Sequence, residues 1–172
     1  MIAAAAEVPC GAEGVLFFPY LAGAAAPFWQ GDMRGAFCGL TLQSGLGHMT
    51  RAVLEAVAYD LRANVDHMRA LGCGVERLVL FGGGVRSSLW TEIIAAVCDL
   101  PVLAGADSEA ASRGAAMLAG MALGMDPSFL KLPVEPVRVR EGWREAYVPL
   151  RAAFEHARAE YFRFDEHLRG QR

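Results

Sequence analysis

Three observations predict an α/β layer fold for this sequence. Short apolar runs alternate along the chain with segments of helical period, the pattern of strands laid against helices. The run Leu78-Val79-Leu80-Phe81 breaks into Gly82-Gly83-Gly84 and restarts through Val85-Arg86-Ser87-Ser88-Leu89-Trp90, which reads as a strand, a backbone-exposed turn and a helix start. Of 172 residues 54% are hydrophobic, enough for one domain with a substantial core.

Taken in order, Val15-Leu16-Phe17-Phe18 ends at Pro19 and predicts a buried strand. Leu21 to Arg34 mixes Gly23, Pro27, Gly31 and Asp32 with alanines and the Phe28-Trp29 pair. It predicts an irregular loop whose two aromatics line a ligand groove, a domain interface or the core edge. Ala36 to Leu40 predicts another strand. From Leu46 to Leu71, Met49, Val53, Val57, Leu61, Val65 and Met68 recur at three- and four-residue steps, the apolar face of a long helix. Glu55, Arg62, Asp66 and Arg69 form its polar side, with Arg51 and Glu55 spaced for an ion pair; Gly72 and Gly74 supply the stop.

Ser87 or Ser88 caps the helix after the glycine turn, which runs through Leu89, Ile93, Ile94 and Val97. Pro101-Val102-Leu103 predicts a strand. A small-residue helix follows from Glu109 to Leu123, where Ala110, Ala111, Gly114, Ala115, Ala116 and Ala119 predict tight packing against another backbone. Pro127 to Pro136 reads as a connector. Leu150, Phe154, Ala157, Tyr161 and Leu168 form one face of a final helix, and its Phe154, Tyr161 and Phe162 serve intramolecular packing or a homodimer contact.

The net charge of −3, with the basic residues scattered, argues against nucleic acid as a partner. No segment approaches the ~20 apolar residues of a membrane helix, and the N-terminal stretch lacks a positive region, so no membrane role is expected. Cys10, Cys38, Cys73 and Cys98 lie far apart and read as free, buried thiols of a cytoplasmic protein. His67, His156 and His167 have no partners at metal spacing, and Asp60, Asp66, Asp107 and Glu109 fit helix surfaces or starts. No catalytic or metal-ligating residue is assigned.

A strand, glycine turn and helix start exposes backbone N–H groups and lets a flat or anionic ligand reach the main chain, because glycine has no Cβ. The same three glycines also suit a tight connection, and they match neither G-x-G-x-x-G nor G-x-x-x-x-G-K-[ST]. From the glycines alone both readings stand.

A second motif changes this. Gly35-Ala36-Phe37-Cys38-Gly39-Leu40, seven residues, then His48-Met49-Thr50-Arg51-Ala52-Val53-Leu54-Glu55 resembles the C-terminal signature of the FGGY carbohydrate kinases. Phe18-Pro19-Tyr20-Leu21-Ala22-Gly23, Ala26-Pro27-Phe28-Trp29, Phe81 to Trp90 and Arg113 to Ala119 are similar to the same family, most of all to its xylulokinase branch. The resemblance implies an actin-like, ribonuclease H-like domain, a mixed sheet flanked by helices, spanning residues 1–172 as the family's second domain without its opening strands. It implies ATP as cosubstrate, magnesium held mainly by a first domain absent here, and a sugar acceptor such as xylulose. It assigns the adenosine side of ATP to Gly82, Gly83, Gly84 and Ser87. His48, inside the signature, is read as capping or packing. The chain departs from the family at Ala24-Ala25, Gln30, Glu92 and Ala96. An inert remnant, or an interaction domain that needs a partner chain, is the alternative.

Overall fold

The computed structural model describes residues 1–105, 109–130 and 133–170; Asp107 lies outside them. Short helix α1 (Ile2–Ala6) leads through a 3-10 turn (Ala12–Gly14) into strand β1 (Leu16–Phe18). The irregular segment then reaches β2 (Ala36–Cys38) and the long helix α2 (Leu46–Ala70). Strand β3 (Leu78–Leu80), a 3-10 turn (Gly83–Arg86), helix α3 (Ser88–Cys98) and β4 (Val102–Gly105) follow. The chain closes with α4 (Ala110–Ala122), a 3-10 turn (Pro127–Leu130), β5 (Val134–Pro136) and α5 (Trp143–Arg169).

Two sheets form among the described residues. β1 and β2 pair antiparallel, and a mixed sheet of order β3-β4-β5 joins β3 and β4 in parallel and β4 and β5 antiparallel. The expected connector from Pro127 to Pro136 therefore contains a strand. Its signal was hidden because β5 is exposed, carries no apolar alternation and ends at Pro136, a residue tolerated at a sheet edge.

Helix α2 is the central element, packed by α1, β1, α3 and α5. Gly47 lets α1 cross it, since a Cβ there would stand 2.7 Å from the Ala4 carbonyl oxygen. Its buried side differs from the face the periodicity predicts: Thr50, Arg51, Ala52, Glu55, Ala56, Ala58, Tyr59 and Val65 are buried, while Val57 and Met68 face solvent. Neighbours on several sides bury the small alanines and part of the polar stripe together. Phe18, Ile93, Phe154 and Tyr147 complete the core, the larger apolar ones contributing ~1.5–3 kcal/mol each.

One further expectation is corrected. Helix α4 does not pack tightly: among the described residues its small side chains are mostly exposed, and Gly114 meets nothing within 4 Å. Of its small residues Gly120 alone is buried among the described residues, and the turn at Pro127–Leu130 lies against the helix. The expected final helix is present as α5, which begins at Trp143 and carries Pro149 inside it. Of the free cysteines, Cys98 is buried, Cys10 and Cys38 are half-buried, and Cys73 is exposed. No described helix is long and apolar enough to cross a membrane.

Candidate functional site

The glycine turn leaves the mixed sheet at the end of β3. Gly82 adopts φ 87° and ψ −171°, a conformation closed to residues with a Cβ, and so turns the chain out of the strand. The next residues coil through Val85 N–H to Gly82 O (3.2 Å) and Ser87 N–H to Gly84 O (3.1 Å). Ser87 then caps α3, its Oγ accepting from the Trp90 N–H at 3.3 Å. The expected cap is present, and the Ser87 hydroxyl hydrogen remains able to donate to an oxygen acceptor.

The three glycines serve different ends. A Cβ on Gly84 would fall 2.1 Å from Trp90 Cζ3, so the indole ring occupies the space that residue leaves. Gly82 is required by its backbone angle. Gly83 is exposed, has no positive φ and would meet nothing within 4 Å; neither conformation nor packing explains it. Beside the turn lies an apolar cavity of about 80 Å³ lined by Leu80, Phe81, Gly84, Val85, Trp90 and Ile94, among others. The buried Trp90 Nε1–H has no hydrogen-bond partner among the described residues.

The Gly35 to Glu55 motif is architectural. Gly39 takes φ 75° with a would-be Cβ 2.3 Å from the Gly14 carbonyl oxygen, and a Cβ on Gly35 would strike Leu21. His48 caps α2: its Nδ1 accepts from the Gly45 N–H at 3.1 Å and its Nε2 lies 3.0 Å from Glu13. Arg51 and Glu55 do pair (2.7 Å), but inside the core rather than on a polar surface. Glu55 also accepts from the Tyr147 hydroxyl at 2.7 Å and the Gly11 N–H at 3.0 Å. Arg51 donates to the Tyr147 oxygen at 2.6 Å and to the Val8 carbonyl at 3.3 Å. Burial pushes the Glu55 carboxyl above its ordinary range against these donors.

The departures also find places. Glu92 accepts from the Arg140 N–H at 2.8 Å and pairs with its guanidinium, anchoring the segment before α5. Ala24 is buried and closes a tight loop with Gln30 through two 2.8 Å backbone bonds. Phe28 joins the core edge against Tyr20 and Phe162, with Arg158 over its ring, whereas Trp29 is exposed. The spacing of Arg51 and Glu55 signalled their pairing, but nothing local signalled Tyr147 or the contact of Trp90 with Gly84. Among the described residues no group of three His, Cys, Asp or Glu is placed to hold a metal ion.

A mixed sheet flanked by helices, with a bare glycine turn at the head of one of them, has the form of an actin-like α/β domain. The sequence matches the family model of the FGGY family of carbohydrate kinases, C-terminal domain, over residues 1–123, and the chain belongs to that family. It is 37% identical over 161 residues to the xylulose kinase of Escherichia coli (strain K12), covering 90% of this chain and 33% of that protein. Its fold superposes on the crystal structure of xylulose kinase from Rhodospirillum rubrum with a TM-score of 0.81 and 33% identity, over 96% of this chain and 34% of that one. The crystal structure of Plasmodium falciparum glycerol kinase with ADP gives 0.64 and 26%, over 84% of this chain and 31% of that one. The chain thus spans about a third of the xylulose kinases it matches.

Proposed function

We propose that this chain forms the nucleotide side of the cleft of an ATP-dependent carbohydrate kinase, with xylulose or a related ketose or polyol as acceptor. The observation that carries the reading is Gly83, an exposed glycine that the local backbone and packing leave unexplained and that opens the main chain to a ligand. Gly82 and Gly84 hold the turn in shape on either side, and the Ser87 hydroxyl offers a donor to a ligand oxygen. The glycerol kinase relative described with ADP and the two xylulose kinases support the nucleotide and the acceptor class.

Phosphoryl transfer depends on positioning and charge stabilisation. In this proposal the chain binds and orients adenosine. Magnesium, which would neutralise phosphate charge, would be held mainly by further polypeptide. A domain that acts only against more protein, in the same chain or a partner, also suits the exposed apolar side chains of Val79, Phe81, Leu118 and Leu123. Mixing the chain with a separately produced first domain of a xylulose kinase and following xylulose-dependent ADP release tests the reading. Turnover whose KM for ATP rises in Gly83→Val is expected; no turnover with any ketose or polyol would count against a kinase role.

A further inference from the structure

At the opposite end of α3 from the glycine turn, about 16 Å along its eleven residues, three helices enclose a cleft of about 90 Å³, room for several waters. Arg62 of α2 and Arg144 and Arg151 of α5 line it, with Ala96 and Asp99 from α3 and its C-terminus. Arg144 and Arg151 stand seven residues apart, two helical turns, and so reach the same side of α5.

The guanidiniums are unequally used. Arg62 is held in place: its Nε lies 2.8 Å from both Asp66 oxygens and its Nη1 donates to the Cys98 carbonyl at 2.7 Å. That one bond gives the end of α3 a cation and a donor, so the helix terminus does not call for the other two. Arg144 donates from Nη1 to Asp99 at 2.7 Å. Arg151 makes no hydrogen bond among the described residues; its Nε stands 3.8 Å from Glu155. Asp66 and Glu155 do not line the cleft, which leaves Asp99 as the carboxylate facing three arginines. The Ala96 methyl leaves the space between them open.

We propose that this cleft binds a small tetrahedral oxyanion, a phosphate group, across the unused guanidinium nitrogens of Arg62, Arg144 and Arg151. Planar guanidiniums lining one cleft from two helices suit an acceptor with oxygens on several sides, and Arg151, held only by its 3.8 Å pairing with Glu155 among the described residues, keeps its hydrogen-bond donors for such a guest. The site is separate from the glycine turn and does not depend on its assignment.

The test is calorimetric titration of the full chain with inorganic phosphate at constant ionic strength, in parallel with glycerol 3-phosphate. Tighter binding of the ester assigns the site to phosphomonoesters, and equal or weaker binding to free phosphate. Saturable binding is expected, weakened about tenfold or more in Arg151→Met and also in Arg144→Gln, a half-buried position whose bond to exposed Asp99 the fold can lose. Gly83→Val should bind phosphate as the parent does. Absence of saturable binding, unchanged affinity in both arginine variants, or loss in Gly83→Val would overturn the proposal.

Discussion

Replacing each turn glycine in turn by alanine separates the residue that shapes the turn from the one that exposes it. Gly84→Ala drives a methyl to 2.1 Å from Trp90 Cζ3 and 2.7 Å from Cε3, so the half-buried indole must shift from its place beside the turn. Overpacking of that kind costs about 1–3 kcal/mol. Gly82→Ala meets no neighbour but forces a side chain onto φ 87°, at ~1–3 kcal/mol. Gly83→Ala meets neither penalty and should leave stability within about 0.5 kcal/mol, or raise it slightly by restricting the unfolded chain. Urea unfolding gives the three values when the slopes agree and only the midpoints move. A loss in Gly83→Ala as large as in Gly84→Ala would refute the division of roles.

Tyr147→Phe removes two bonds to charged groups in the core, leaving Arg51 and Glu55 their other partners; we expect about 3 kcal/mol. Tyr161→Phe, which loses a single 2.9 Å bond to the Arg34 carbonyl, should cost ~1 kcal/mol, and equal losses by urea unfolding would contradict a buried charged network. Burial raises the Asp60 carboxyl above its ordinary range, against Arg158 and Tyr20. A raised folded value means the folded state holds more protons, so the stability of the parent relative to Asp60→Asn should grow as pH falls from about 7 to about 4; the opposite trend in unfolding free energy would contradict it. The Cys98 thiol, pushed up to about 12 by burial, should resist alkylation under native conditions while exposed Cys73 reacts first, as mass mapping of the labelled sites would show.

The strand, glycine turn and capped helix were legible because their signals are local: glycine punctuation, Ser87 ahead of an apolar run, and the steps of Leu89, Ile93 and Val97. The Gly35 to Glu55 motif likewise placed the family. Other features depend on distant partners. Glu55 and Tyr147 are 92 residues apart, so the burial of Arg51 and Glu55 could not be read from a helix pattern that marked Glu55 as surface. Strand β5 exists through its ladder with β4 and has no hydrophobic alternation to announce it. The small residues of α4 predicted tight packing that the structure does not show, because a one-dimensional pattern cannot say whether anything approaches.

Calorimetric titration of the full chain with ATP, repeated on Gly83→Val, bears most directly on the nucleotide reading, because that substitution meets no neighbouring atom within 4 Å of its Cβ. Saturable binding by the parent is expected, weakened about tenfold or more in the variant while the urea midpoint stays unchanged. Equal affinity in the two proteins would contradict it.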